Sequence, residues 1–211
     1  MTSGGRLNID LKRGAIPLSI FILMVLHYGL KAPLWVLGLF SLWIPLVYIV
    51  KPWYLRRRWE AFDRTFTQSF QRGKHRELLQ AYRKEWFLRR FGPQADMLSK
   101  LGLIYSAMGK YREAEHALEQ ALDAMGSPGP QQLYFNLANV KFELGKFDDA
   151  MQIYLSLRSN SPYQRAARTQ MALIDLQKGA RVEQARSFLE SELPRASGPM
   201  RERIDRALAR H

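Results

Sequence analysis

At 211 residues and 47% hydrophobic content, the chain has room for one packed domain plus an appendage, which excludes an unfolded tail. Cysteine is absent, so disulfide frameworks, thiol nucleophiles and cysteine metal sites are excluded as well. The formal charge of +13 is unevenly placed, with +8 in residues 51–93 against −2 in residues 94–163. A basic segment therefore adjoins a nearly balanced one.

Residues 1–13 form a short tail carrying Arg6, Lys12 and Arg13. From Gly14 to Leu30 and again from Ala32 to Val50 no residue is charged, and Lys31 alone separates the two stretches. Crossing the hydrocarbon of a bilayer takes about 20 apolar residues, with roughly 17 at the short end. Each stretch suffices for one short span, and the two together are too long for one. Gly29 to Pro33 supplies the turn between them, Pro17 opens the first helix, and Pro45 kinks the second. Residues 14–50 are thus predicted to form a two-helix transmembrane hairpin. A cleavable signal peptide is the weaker alternative, because no small-x-small site follows the first stretch and a second apolar stretch does. A hairpin that dips into one leaflet is the stronger alternative, given the shortness of both spans.

Basic residues flank the hairpin on both sides, with Lys51, Arg56, Arg57 and Arg58 following the second stretch. The positive-inside bias then predicts an integral membrane protein with two spans and both termini cytoplasmic, the arrangement of a bacterial inner-membrane protein. Those four side chains are the candidates for anionic lipid headgroups. Residues 51–93 continue as a basic juxtamembrane helical segment in which Trp53, Trp59, Phe62, Phe66, Trp86 and Phe87 alternate with cations, a composition suited to the headgroup level. It carries no nucleic-acid-binding motif, and no nucleic acid partner is expected.

Four glycine-led phrases recur along the rest of the chain: Gly73-Lys74-His75, Gly109-Lys110-Tyr111, Gly145-Lys146-Phe147 and Gly179-Ala180-Arg181. A helix precedes each glycine and another follows it, and a period in the mid-thirties marks a solenoid of helix–turn–helix units. Ala114 and Ala150 lie five positions after their glycines, where a small residue lets the second helix pack closely on the first.

The pattern resembles the tetratricopeptide repeat family. In the unit beginning at Ala95 the resemblance rests on Leu98, Leu101, Gly102, Tyr105, Gly109, Tyr111, Ala114, Leu118 and Ala121. In the unit beginning at Gln131 it rests on Tyr134, Leu137, Ala138, Gly145, Phe147, Ala150, Tyr154 and Pro162, with Lys141 standing where the family favours tyrosine. A third unit, from about Arg165 to Pro194, keeps Met171, Ala172 and Gly179 and has one extra residue before Ala185. Residues 59–93 match weakly, as a degenerate first unit. The expected fold is all-α: the hairpin at 14–50, the degenerate unit within 51–93, three repeats over 94–194, and a capping helix over 195–211 with Met200, Ile204 and Leu208 on one face.

The resemblance implies a concave groove that binds protein partners. Its groove-facing positions fall on Ser99, Lys100 and Leu103, on Gln132, Phe135, Asn136, Asn139 and Glu143, and on Thr169, Gln170 and Leu173. Asn136 and Asn139 stand out because an amide offers both a donor and an acceptor to a peptide backbone. No nucleophile elbow, phosphate loop or metal-spaced histidine pair is present, so no enzyme, cofactor, metal or small-molecule substrate is expected. The expected function is a membrane-anchored scaffold for protein–protein interaction or complex assembly at the cytoplasmic face. The alternative is an accessory subunit packed into a larger membrane complex through the hairpin, where Ala32, Gly38 and Ser41 offer a small-residue contact.

Overall fold

The computed structural model describes residues 46–126, 129–157 and 162–210, together with positions 21, 22, 24–29, 31, 33, 35, 38 and 42. The tail at 1–13 with Arg6, Lys12 and Arg13, hairpin positions including Pro17, Ala32, Ser41 and Pro45, and His211 lie outside the described residues. Within the hairpin region, Val25–Gly29 and Leu46–Val50 form π-helical turns. Among the described residues no helix is long and apolar enough to cross a membrane.

From Lys51 onward the described chain is helical, and no strand occurs among the described residues. Helix α1 covers Lys51–Gln71, α2 His75–Lys84 and α3 Trp86–Phe91. Then come α4 (Gln94–Ala107), α5 (Tyr111–Met125), α6 (Gln131–Glu143), α7 (Phe147–Leu157), α8 (Gln164–Lys178), α9 (Val182–Glu192) and α10 (Gly198–Leu208), with a 3₁₀ turn at Leu193–Arg195. Two compact units divide the chain, Met1–Ala61 and Phe62–His211, and their boundary falls within α1.

The paired helices form where the glycine phrases place them. Gly109 and Gly145 take φ of +72° and +74°, left-handed values that an L side chain rarely adopts, and each lets its chain reverse between two helices. Proline marks the other boundary: Pro93 and Pro130 cap α4 and α6, and Pro199 lies in the first turn of α10. Its fixed φ suits the start of a helix. In the weak first unit the second helix is broken, since Glu85 leaves helical geometry and separates α2 from α3.

Packing follows the small-residue pattern. Ala114, Ala138, Ala150 and Ala167 are fully buried, and each sits between larger side chains of neighbouring helices. One cluster joins α5 to α6 through Ala114, Leu118, Ala121, Leu133, Leu137 and Val140. A second joins α6, α7 and α8 through Ala138, Ala150, Tyr154, Leu157, Met171 and Ile174. The third joins α8, α9 and α10 through Leu173, Leu176, Ala185, Leu189 and Ile204, with Met200 and Leu208 packed against it. Each cluster joins neighbours, as a solenoid requires.

Gly102 is where the paired helices α4 and α5 approach most closely. A Cβ there would lie 2.6 Å from Cγ of Leu118, which has no exposed surface. Gly102→Ala gains up to about 1 kcal/mol of helix propensity, but overpacking costs about 1–3 kcal/mol. The expected outcome is a net loss of about 1 kcal/mol, seen as a lower thermal midpoint. The same change made in a Leu118→Ala background, where a cavity receives the methyl group, should be neutral or stabilising.

Candidate functional site

The first helices of successive units begin at residues 94, 131, 164 and 198, so α10 continues the register of α4, α6 and α8. All four contribute to one cleft of about 280 Å³, lined by Ser106 from α4, Tyr111 from the start of α5, Asn139 and Glu143 from α6, Gln170 from α8, and Pro199, Met200 and Arg203 from α10. A second cleft of about 310 Å³ adjoins it through Glu143 and Arg203, and adds Phe142, Leu173, Leu176, Gln177, Arg206, Ala207 and Arg210.

Asn139 is held by the unit's own core. Tyr154 is fully buried, and its hydroxyl donates to Asn139 Oδ1 at 2.7 Å. Burial holds that hydroxyl protonated far above the ordinary tyrosine range, so it stays a donor. With its oxygen engaged, the Asn139 amide keeps its nitrogen for another acceptor. Glu143 is bound by Arg203, whose guanidinium also lies 5.4 Å from the centre of the Phe142 ring.

The remaining candidates are divided by burial. Gln132 is exposed, and Ser99, Leu103 and Asn136 are half-buried. Phe135 stacks on Tyr163 and meets Tyr154 edge-on, which draws it into packing between units. Lys100 donates to Asp63 at 2.6 Å and its Nζ lies 4.1 Å from the Phe66 ring centre, so the weak first unit engages it. Thr169, Gln170 and Leu173 are buried rather than presented on an open surface. Thr169 turns its hydroxyl back to the Arg165 carbonyl at 3.1 Å, and Leu173 joins the third core cluster. Gln170 Oε1 is buried without a hydrogen-bond partner.

The headgroup candidates lie at the start of α1. Arg57 sits 5.5 Å from the Trp53 ring centre, Arg58 is 5.8 Å from that of Tyr54, and Arg56 pairs with Glu60 at 2.9 Å. Lys51 is exposed at the first position of the helix.

Sequence reasoning missed Arg203, Arg206 and Arg210, because α10 reads as a cap; the recurrence of helix starts at 164 and 198 is the signal that places it in the row. It also missed the consequence of Lys141. In place of an aromatic ring, this side chain donates to Glu115 at 2.8 Å and to Glu119 at 3.1 Å, while Lys146 donates to both oxygens of Glu115 at 2.8 Å. An ionic knot therefore joins α5 to α6 and to the turn after it.

Burial pushes the Glu115 carboxyl up, but the hydrogen bonds from Lys141 and Lys146 outweigh it and leave the pKa below the ordinary 4.5. A lowered carboxylate pKa stabilises the fold above that ordinary value, and the contribution is lost as pH falls through the folded-state pKa. Glu115→Gln should cost about 1–3 kcal/mol at neutral pH by leaving the lysines without their carboxylate. In urea unfolding the gap between the natural chain and the variant should narrow toward pH 3. Separately, Tyr154→Phe keeps the buried ring and removes the bond to Asn139, and should lower the unfolding free energy by about 0.5–1.5 kcal/mol.

No curated protein matches the chain. Residues 93–161, the stretch holding α4 to α7, match the tetratricopeptide repeat family model, and repeats of this kind suggest a protein–protein interaction scaffold.

Proposed function

We propose that the chain is a membrane-anchored scaffold that holds protein partners in the groove formed by its first helices, at the cytoplasmic face of a membrane. The groove half of the reading is carried by one observation: α4, α6, α8 and α10 bring side chains to a common cleft, where Asn139 has an oriented amide. A cleft lined by several successive helices suits an extended chain better than a compact small molecule.

Support for the anchor comes from the sequence of residues 14–50 and its basic flanks. None of the described side chains between Phe21 and Val50 is buried, and Phe21, Trp35, Leu42 and Ile49 are each more than 60% exposed. Apolar surface of this kind calls for lipid or a partner. Trp53, Tyr54 and the arginines beside them, with Lys51, supply amphipathic rings and cations for the headgroup layer. Assembly into a larger membrane complex through the hairpin is the alternative function, favoured by the same exposed apolar side chains.

Two measurements test this. In sealed vesicles with the cytoplasmic face outward, protease should digest the repeats while the hairpin stays protected; shielded repeats would refute the orientation. Partner capture by the detergent-solubilised full chain is then compared with capture by a chain beginning at Trp59. Partners kept after loss of the hairpin support recruitment by the repeats, and partners lost with it support assembly within the membrane.

A further inference from the structure

Resting on the scaffold reading, we propose that the cleft between α6, α8 and α10 takes an acidic segment of a protein partner, with Arg206 and Arg210 reading side-chain carboxylates.

Arg203 and Arg206 lie three residues apart on one face of α10, Arg210 follows in the turn just past its end at Leu208, and all three line the cleft. Only Arg203 is matched from within, by Glu143. Arg206 donates through Nε to the Glu202 carbonyl at 3.2 Å, and among the described residues neither Arg206 nor Arg210 has a carboxylate within ion-pair reach. Both are exposed. Three guanidinium groups thus face one carboxylate, and the excess is cationic.

The guanidinium group is a planar fork that binds carboxylates through two parallel hydrogen bonds, so arginine favours this ligand more strongly than a point charge would. Opposite the arginines, Phe142, Leu173 and Leu176 contribute apolar lining. At about 310 Å³ the space admits side chains of an extended strand, not a whole helix. The favoured segment carries carboxylates on either side of an apolar residue. A chain of net charge +13 also steers acidic partners toward it in general, so the test must isolate the cleft.

A fluorescein-labelled, C-terminally amidated peptide of alternating Glu and Leu is titrated by anisotropy against the full-length chain in nonionic detergent, beside an analogue with Gln for every Glu. Binding of the acidic peptide should be roughly tenfold tighter. Arg206→Gln with Arg210→Gln should abolish that preference while leaving the thermal midpoint unchanged, since both side chains are exposed. Equal binding of the two peptides overturns the acidic preference yet leaves peptide recruitment standing. An unaffected double variant moves the site elsewhere and overturns the proposal, as does a requirement for a free C-terminal carboxylate. Equal displacement of the peptide by phosphatidylglycerol vesicles or by an oligonucleotide, at matched charge, overturns it in favour of general anion attraction. If neither peptide binds, the proposal fails, and partner capture by the repeats still decides the scaffold reading on its own.

Discussion

Close approach within each helix pair is the constraint on which the other features depend. Gly102 against Leu118, and Ala114, Ala138 and Ala150 at full burial, let backbones meet where a larger residue would hold them apart. Protein interiors tolerate little excess volume, so these positions fix the spacing of the pairs. Once the spacing is fixed, the first helices fall into a row and Asn139, Gln170 and Arg203 reach one cleft. The left-handed turns at Gly109 and Gly145 serve the same end, because they reverse the chain in the few residues available.

The groove is built from side chains already partly engaged. Tyr154 orients Asn139 and Arg203 holds Glu143. Pre-engagement of this sort lowers the entropy lost when a ligand is bound, because the side chains have already surrendered rotamer freedom. It also narrows what the surface accepts. An amide with its oxygen taken favours an incoming acceptor, and paired charges favour a ligand that leaves the pairing intact.

Helices α4 to α9 are legible from the sequence because the glycine phrases and the small residues after them specify local geometry. Gly102, one of the residues that carry the resemblance, forms the close contact with Leu118. Legibility ended where a side chain's fate depends on distant partners. Thr169, Gln170 and Leu173 occupy groove positions by register, yet the third core cluster and α10 enclose that part of α8. Lys141 departs from the aromatic pattern, and only the positions of Glu115 and Glu119 on another helix explain it. The break at Glu85 gave no signal in the hydrophobic period, since Leu78, Leu79, Tyr82 and Leu88 are buried on both sides of it.

One contact departs from strict nearest-neighbour stacking. Arg203 on α10 reaches Glu143 and Phe142 on α6, past the unit built on α8. A one-dimensional array opens from its ends, each unit released separately at the cost of one interface. A bond that skips a unit ties the free energies of three together, so α6 to α10 share their opening, while α4 and α5 meet that block across one interface, which holds the α5–α6 core cluster and the Lys141–Glu115 knot. The ladder of repeats thereby acquires a cooperative block at one end, and slow amide exchange would extend evenly across it.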